Sequence, residues 1–201
     1  MQVIKIYPKG FAANTYLVTE DGKNAVAIDP AQPRILKEAE KRGLNVEYVL
    51  LTHGHFDHTG GCAALQAQGA KVGCLEAEKP LATGEDNLAA YFGVPREPFK
   101  VDFTFRDGET LDLCGLSFRV IATPGHTAGG ACFLVGDTLF TGDTLFAGDV
   151  GRTDFPTGSG AALVQSVKKL YALKGDFRVC PGHEEDTRLD EERRNNRCIR
   201  E

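Results

Sequence analysis

The sequence contains no tryptophan, one methionine and only five histidines in 201 residues. It has no apolar run approaching the roughly 20 residues that cross a bilayer. Its net charge of −5 gives no basic surface for a nucleic acid. We therefore expect a protein that binds neither membranes nor nucleic acids. Because the N-terminus lacks the charged head and apolar core of a signal peptide, we also expect a cytoplasmic location.

Disulfide pairs and interdomain linkers are also missing from the sequence pattern. The six cysteines form no Cys-x-x-Cys pair and lie mostly in apolar segments, so we expect reduced, buried thiols. No Pro/Ser-rich stretch or block of like charges divides the chain, and its length suffices for a sizeable core. The sequence thus predicts one globular domain over residues 1–201.

Apolar periodicity and turn residues predict two halves, each with strands and outer helices. The predicted strands are residues 3–7, 15–19, 25–28, 46–51, 71–74, 110–113, 116–121, 131–135, 138–141 and 177–180, and the predicted helices are residues 33–41, 59–69 and 161–173. Pro33 is expected to open the first helix and Thr59 to cap the second. Residues 76–98 are interpreted as a surface excursion and candidate lid, weakly helical over 87–92, and a polar tail follows residue 180. Two such halves predict a four-layer αββα sandwich of the α/β class.

All five histidines occur in short motifs that suit a metal. Three of them lie in Thr52-His-Gly-His-Phe-Asp-His58, and His126 and His183 each end a Pro-Gly-His tripeptide. Asp57 lies inside the first cluster, and Asp143 lies between the two isolated histidines. Such a concentration of polar groups beside an apolar strand is costly unless something organises it. Five imidazoles and two carboxylates exceed the needs of one tetrahedral ion, so the sequence predicts a two-metal site.

Spacing divides the predicted ligands between two ions. Residues i and i+2 of an extended loop point the same way, so His53 and His55 should converge on one ion. The first ion is assigned to His53, His55 and His126, and the second to Asp57, His58 and His183. Asp143 is predicted to bridge them, because two ions about 3.5–4 Å apart share ligands.

A small repeat offers two candidates for the bridging aspartate. Gly136-Asp-Thr-Leu-Phe140 recurs as Gly142-Asp-Thr-Leu-Phe146. The first copy lies between two apolar runs, as a two-residue hairpin turn does. The second follows a strand end, where loops gather into sites. We therefore predict that Asp137 is a turn residue and that Asp143 is the ligand.

These motifs resemble a known superfamily over nearly the whole chain. His53-x-His55-x-Asp57-His58, Thr123-Pro-Gly-His126-Thr, Thr141-Gly-Asp143 and Pro181-Gly-His183 resemble the ordered ligand motifs of the metallo-β-lactamase fold. Ile28-Asp29-Pro30 matches the superfamily's first aspartate motif, whose carboxylate usually lies behind the ligands. For Asp29, a helix cap before Pro33 is an equal alternative.

Within the superfamily, the chain is similar to glyoxalase II (hydroxyacylglutathione hydrolase), especially its short bacterial relatives. Gly142-Asp-Thr-Leu-Phe146 and Gly151-Arg-Thr-Asp-Phe-Pro156 carry this likeness. It implies a binuclear hydrolase that cleaves a small-molecule thioester such as S-lactoylglutathione through a metal-bridging hydroxide. The two divalent ions are expected to be zinc, with iron or manganese as alternatives. Longer members have a C-terminal helical domain that contributes to glutathione binding, and we expect this chain to lack it.

The resemblance also implies roles for individual residues. Asp57 is the candidate proton acceptor in catalysis, and Arg152 is the candidate group for binding a substrate carboxylate. Arg152 has an alternative role in a structural ion pair with Asp154 or Asp149. Three aromatic residues are candidates for the pocket wall, although core packing is the expectation for each: Tyr91, Phe92 and Phe146.

Two other functions are compatible with the motifs. The persulfide dioxygenases share the fold and the Gly-Arg-Thr-Asp-Phe segment and use one iron, which His53, His126 and Asp143 would bind here. The remaining predicted ligands would then be idle. A non-catalytic metal-binding protein is the third hypothesis, and the complete ligand set argues against it.

Overall fold

The computed structural model describes residues 1–200, in which two six-stranded sheets and one two-stranded sheet are accompanied by six α-helices. The strands are β1 Gln2–Ile6, β2 Thr15–Thr19, β3 Asn24–Ile28, β4 Asn45–Leu50, β5 Lys71–Leu75, β6 Phe103–Phe105, β7 Thr110–Leu113, β8 Leu116–Ala122, β9 Ala131–Val135, β10 Thr138–Gly142, β11 Leu145–Phe146, β12 Asp149–Val150, β13 Arg178–Pro181 and β14 Thr187–Arg188. The helices are α1 Ile35–Glu40, α2 Phe56–Thr59, α3 Cys62–Ala67, α4 Lys79–Thr83, α5 Gly160–Tyr171 and α6 Leu189–Asn195.

Alternation along the strands creates the layers of the fold. In β2, Leu17 packs toward α1 and α3, whereas Tyr16 and Val18 point into the space between the sheets. On the far face of the second sheet, Leu139 packs with Val167 of α5. Successive strand residues face opposite sides of a sheet. Each sheet therefore packs against helices on its outer face and against the other sheet on its inner face. The predicted αββα sandwich is therefore confirmed, whereas its description as one domain over residues 1–201 stays a prediction.

Strand order brings the motif-bearing loops to one edge of the molecule. The first sheet has the order β1-β2-β3-β4-β5-β6, and the second has the order β14-β13-β10-β9-β8-β7. Strands β3 and β4 are parallel, as are β10 and β13. The segments that follow β3, β4, β8, β10, β12 and β13 carry all the predicted site residues. Ligands commonly bind beyond the carboxyl ends of strands, where such loops gather.

Several sequence-based predictions of local structure were wrong. Helix α1 begins at Ile35, two residues after Pro33, and Thr59 ends α2 without capping α3, which follows Gly61. The Thr59 hydroxyl instead donates to the His55 carbonyl oxygen at 3.3 Å. Asn87 ends a short 3-10 helix, and residues 88–92 form a bend and turns, because Leu88 in the left-handed conformation (φ 70°) interrupts the helix.

The predicted polar tail contains β14 and α6. Its order comes from buried polar contacts that apolar periodicity does not reveal. Glu192 is 2 % exposed and accepts hydrogen bonds from the Thr187 hydroxyl, the Gly148 amide and the Asn196 side chain. Leu189 adds the main apolar contact.

The structure bears on two expectations from composition, the state of the cysteines and the length of the apolar helices. None of the six cysteines is paired, and Cys198 is the exposed one. The longest helix, α5, has 12 residues, and within residues 1–200 no helix has both the length and the apolar character to cross a membrane.

Candidate metal centre

The seven predicted ligands meet where the two sheets end. They form three sets, each with ligand atoms within 4.8 Å of one another, and the third set shares one residue with each of the other two. The three-histidine group consists of His53, His55 and His126, and the mixed group consists of Asp57, His58 and His183. Asp143 also forms a set with His53 and His58.

The three imidazole rings of the three-histidine group are mutually perpendicular. Its ring centroids lie 4.7 to 4.8 Å apart, and the ring planes meet at 89° to 90°. His55 Nδ1 and His126 Nε2 are 2.9 Å apart. Exposure is 2 % for His53 and His55 and 6 % for His126. Nitrogens that converge from perpendicular rings present a compact, largely dry set of donors.

The mixed group is more open to solvent. His183 Nε2 lies 3.3 Å from Asp57 Oδ2, and His58 Nε2 lies 3.9 Å from the same oxygen. The side chains of His183 and Asp57 are 32 % and 18 % exposed, whereas His58 is fully buried. A cavity of about 410 Å³ opens beside Asp57. Solvent can therefore approach this group from that side.

Asp143 lies between the two groups. Its Oδ2 is 3.5 Å from His126 Nε2 and 3.6 Å from His183 Nε2, and its Oδ1 is 3.2 Å from His58 Nε2. Asp137, by contrast, lies exposed in the two-residue turn between β9 and β10, as predicted. The position of Asp143 suits a carboxylate shared by two ions.

Unpartnered atoms test whether the residues suit a metal. Within residues 1–200, Nε2 of His53, His55 and His58 and Oδ1 of Asp143 are buried without a hydrogen bond. The His58–Asp143 contact of 3.2 Å is close enough but lacks hydrogen-bond geometry. Buried polar atoms normally have partners, and unsatisfied ones point to an ion or water. The donor set, imidazole and carboxylate, fits divalent transition metals.

Hydrogen bonds to the second ring nitrogens orient three of the histidines. His53 Nδ1 lies 3.2 Å from Thr52 Oγ1, His126 Nδ1 lies 2.7 Å from the Arg152 carbonyl oxygen, and His58 Nδ1 lies 2.9 Å from Asp29 Oδ2. Such contacts fix ring orientation at metal sites.

Asp29 lies behind the ligands and does not cap a helix. Its carboxylate accepts hydrogen bonds from the Thr52 amide at 2.8 Å and the Thr52 hydroxyl at 2.6 Å, besides contacting His58. The residue preceding α1 is Arg34, and that helix has no side-chain cap. Of the two alternatives for Asp29, the geometry matches the position behind the ligands.

The electrostatic field separates the histidines into two kinds. Burial and the neighbouring His126 lower the pKa of His55 to about 3, and burial lowers the pKa of His53 as well. Burial also disfavours protonation of His58, but Asp143 and Asp29 outweigh it and raise its pKa. Neutral imidazoles can bind a metal directly, whereas a protonated His58 must lose its proton before it can bind one.

Four aromatic side chains form a series of ring contacts that reaches the three-histidine group through Phe155. This aromatic rim consists of Phe56, Tyr91, Phe92 and Phe155, and the Phe56 ring lies 5.4 Å from the Phe92 ring. The Phe155 ring lies 6.0 Å from the His55 ring, and Tyr91 and Phe92 lie 6.5 and 6.1 Å from Phe155. Tyr91 is 77 % and Phe92 50 % exposed, so the expectation that they pack in the core was wrong. Phe146 is half-buried, 6.1 Å from the His183 ring.

Arg152 extends along this rim. Its guanidinium pairs with both oxygens of Asp154 at 2.6 Å and lies 4.0 Å above the Phe155 ring. Of the partners considered from the sequence, Asp154 is the one contacted. Substrate binding by the Arg152 side chain stays a prediction.

The family model of the metallo-beta-lactamase superfamily matches residues 8–183 of the chain. The chain belongs to the metallo-β-lactamase superfamily.

Relatives within the superfamily narrow its chemistry. The chain is 38 % identical to the hydroxyacylglutathione hydrolase GloC of Haemophilus influenzae, with 96 % of each chain covered. Among solved structures, it resembles TTHA1623 in a di-iron-bound form, with a TM-score of 0.86, 36 % identity and coverage of 99 % and 100 %. It also resembles the BLEG-1 B3 metallo-beta-lactamase, with a TM-score of 0.91, 27 % identity and 98 % coverage of both chains. This metallo-β-lactamase superfamily member is a metal-dependent hydrolase.

Two buried polar residues of this superfamily member were not identified as site residues from the sequence. Glu78 and Asn14 are each 1 % exposed and bond to ligand-bearing loops. Glu78 was hidden in the excursion interpreted as a surface segment. Asn14 directly precedes β2, and in this region only the strand pattern of residues 15–19 was interpreted from the sequence.

Proposed function

We propose that this metal-dependent hydrolase cleaves small-molecule thioesters with two zinc ions, S-lactoylglutathione being the first substrate to test. The observation that carries the proposal is the convergence of the three-histidine and mixed groups on the two sides of Asp143. The similarity to GloC over 96 % of both chains supports the substrate class. We further propose a cytoplasmic location, on the grounds of the six unpaired cysteines.

The residues present would hold the two ions on either side of Asp143. When bound, two divalent ions lower the pKa of a water toward neutrality and polarise an acyl oxygen. The three-histidine group and Asp143 would hold one ion, and the mixed group and Asp143 the other. Asp29 and the Arg152 carbonyl would keep the ligand rings in orientation.

Asp57 is proposed as the proton acceptor. Burial disfavours its ionised form, but the nearby His58 and His183 outweigh burial and hold its pKa below the usual value. The carboxylate thus stays ionised and able to accept a proton. A thiolate leaves readily without an acid, so this pathway requires no further proton donor from the chain.

Arg152 and the aromatic rim are proposed to contact the substrate. The backbone of Arg152 is held by His126, and its guanidinium lies over Phe155. A substrate carboxylate could pair with the planar guanidinium. The rings of the rim would then cover the apolar part of the acyl group.

The mixed group argues against the single-iron dioxygenase. That reaction needs one ion on His53, His126 and Asp143, whereas Asp57, His58 and His183 also converge into a candidate site. The same argument disfavours a non-catalytic binding protein, because every predicted ligand has a place in the cluster. Iron remains the alternative to zinc, since the relative TTHA1623 has a di-iron-bound form.

Elemental analysis for zinc, iron and manganese, combined with a thiol-release assay on S-lactoylglutathione, tests the proposal. We expect about two ions per chain and release of free thiol. One iron per chain, no thiol release and oxygen consumption with glutathione persulfide would contradict the hydrolase proposal and support the dioxygenase.

A further inference from the structure

Glu78 links the two loops that carry the three-histidine group. Its Oε1 accepts a hydrogen bond from the Gly54 amide at 2.8 Å, and Gly54 lies between His53 and His55. Its Oε2 accepts hydrogen bonds from the Thr127 hydroxyl at 3.0 Å and the Gly129 amide at 2.9 Å, just after His126. One buried carboxylate thereby receives three donors from both sides of this group.

Steric contact reinforces this link. A Cβ at Gly54 would lie 2.5 Å from the Ala82 backbone, and a Cβ at Gly129 would lie 2.6 Å from Glu78 Cα. Real Cβ atoms do not approach other atoms so closely, so both glycines are packed against the segment from Glu78 to Ala82. This part of the excursion lies under the ligand loops and is not a lid.

Asn14 makes an equivalent link to the mixed group. Its side-chain amide donates to the Pro181 carbonyl oxygen at 3.0 Å and to the Glu184 carbonyl oxygen at 2.9 Å, on either side of His183. The backbone N–H of Asn14 donates to the Gly182 carbonyl oxygen at 2.6 Å, and the backbone N–H of the preceding Ala13 donates to the Asp57 carbonyl oxygen at 3.0 Å. The same short segment thus holds the backbone of Asp57 and the residues on both sides of His183.

The two links are separate in the structure. The hydrogen bonds of Glu78 go to the loops around residues 54 and 127–129, and those of Asn14 go to the loop at residues 181–184. Glu78 has no hydrogen bond to the mixed group, and Asn14 has none to the three-histidine group, within residues 1–200.

We propose that Glu78 and Asn14 are positioning residues that set the metal affinities of the two sites independently, Glu78 for the three-histidine group and Asn14 for the mixed group. The inference rests on the proposed two-metal function. Partners behind metal ligands typically change metal affinity by about 10- to 100-fold when removed, and we expect effects of that size, each confined to one site.

The test measures zinc affinity by competition with a chromophoric chelator in proteins reduced to one site. His183→Ala leaves the three-histidine group, and His55→Ala leaves the mixed group. In the His183→Ala background, Glu78→Gln should weaken zinc binding and Asn14→Asp should not. In the His55→Ala background, the two variants should exchange roles. Both substitutions preserve the shape of the side chain. Glu78→Gln places an N–H donor where an acceptor is needed, and Asn14→Asp places a charged acceptor where a donor is needed.

Matched controls and milder variants keep the test decisive. Glu76→Gln and Asn45→Asp alter exposed residues and should leave both affinities unchanged. Two milder variants serve where Glu78→Gln or Asn14→Asp does not fold. Thr127→Val removes the hydroxyl that donates to Glu78 Oε2 at 3.0 Å. Tyr16→Phe removes the hydroxyl that donates at 2.8 Å to the Pro181 carbonyl oxygen, which Asn14 also contacts. These should produce smaller losses at the same sites.

The outcomes separate this inference from the proposed function. Two zinc ions in the unmodified protein, with equal losses at both sites in each variant or no loss in either, would overturn the inference while leaving the two-metal hydrolase intact. A single ion in the unmodified protein would instead overturn the two-metal function on which the inference rests. Selective losses, each at its own site, would support both.

Discussion

The cluster of seven predicted ligands, which forms the floor of the site, and the aromatic rim beside it differ in how firmly the surrounding structure holds their side chains. On the floor, His53, His55 and His58 are at most 2 % exposed. The buried side chains of Thr52 and Asp29 contact the Nδ1 atoms of His53 and His58. On the rim, Tyr91 and Phe92 are 77 % and 50 % exposed and are positioned by ring contacts. Buried hydrogen bonds in a low dielectric hold geometry more strictly than exposed contacts do. The floor therefore fixes the chemistry, whereas the rim leaves the substrate open to variation.

The largest expected effect comes from the floor and uses the internal repeat. Asp143→Ala removes the carboxylate between the two ligand groups and should lower thiol release on the order of 100-fold or more, with loss of bound metal. Asp137→Ala changes the same residue in the other copy of Gly-Asp-Thr-Leu-Phe, at an exposed turn. It should retain metal and activity. Similar losses in both variants would contradict the special position of Asp143.

A second floor prediction concerns pH. Burial raises the pKa of Glu78 from 4.5 to about 7, against the hydrogen bonds from Gly54, Thr127 and Gly129. Because the folded protein binds this proton more tightly than the unfolded chain, the contribution to stability is present below about pH 4.5 and is lost as pH rises toward 7. The loss corresponds to roughly 3 kcal/mol.

Urea unfolding of the metal-free protein at pH 5 to 8 measures this dependence. The free energy of unfolding should fall with pH in the unmodified protein relative to Glu78→Gln, in which the group cannot titrate. Glu76→Gln, at an exposed neighbouring carboxylate, should follow the unmodified protein. Parallel pH curves for the unmodified protein and Glu78→Gln would contradict the raised pKa.

The sequence predicted the floor better than the local structure around it. The spacing His53-x-His55 and the Pro-Gly-His tripeptides identified side chains that the ends of β4, β8 and β13 bring together. Strand alternation likewise predicted the sandwich, because Leu17 and its neighbours Tyr16 and Val18 pack on opposite faces. In these cases the periodicity of one element was sufficient.

The positions that sequence reasoning missed depend on contacts between distant segments. Glu78 lies in a polar excursion, and its buried position follows from packing of α4 on Gly54. Tyr91 and Phe92 look like core residues by composition but gather with Phe155, more than 60 positions away, at the surface. No local pattern encodes which distant residue completes such a contact.

The rim should respond more weakly than the floor. Tyr91→Ala and Phe92→Ala each remove a ring that contacts Phe155 or its neighbours, so we expect KM for aromatic acyl thioesters to rise about threefold to tenfold, with little change in kcat. Steady-state kinetics with an aromatic and a short aliphatic acyl thioester measure the difference. Tyr7→Ala, at an exposed tyrosine outside the rim, is the matched control. A fall in kcat with unchanged KM would place these rings in the chemical step and contradict the comparison.

The smallest expected effect concerns the ion pair on the rim. The Arg152 hydrogen bonds lower the pKa of Asp154 to about 2, so this carboxylate stays ionised and paired at any ordinary assay pH. Asp154→Asn should free the guanidinium for a substrate carboxylate and lower KM for S-lactoylglutathione about twofold to fivefold, since exposed pairs are weak. A thioester without a carboxylate should show no change. Adding Arg152→Gln should abolish the gain; if the gain persists there, or appears equally with the neutral thioester, Arg152 does not bind the substrate carboxylate.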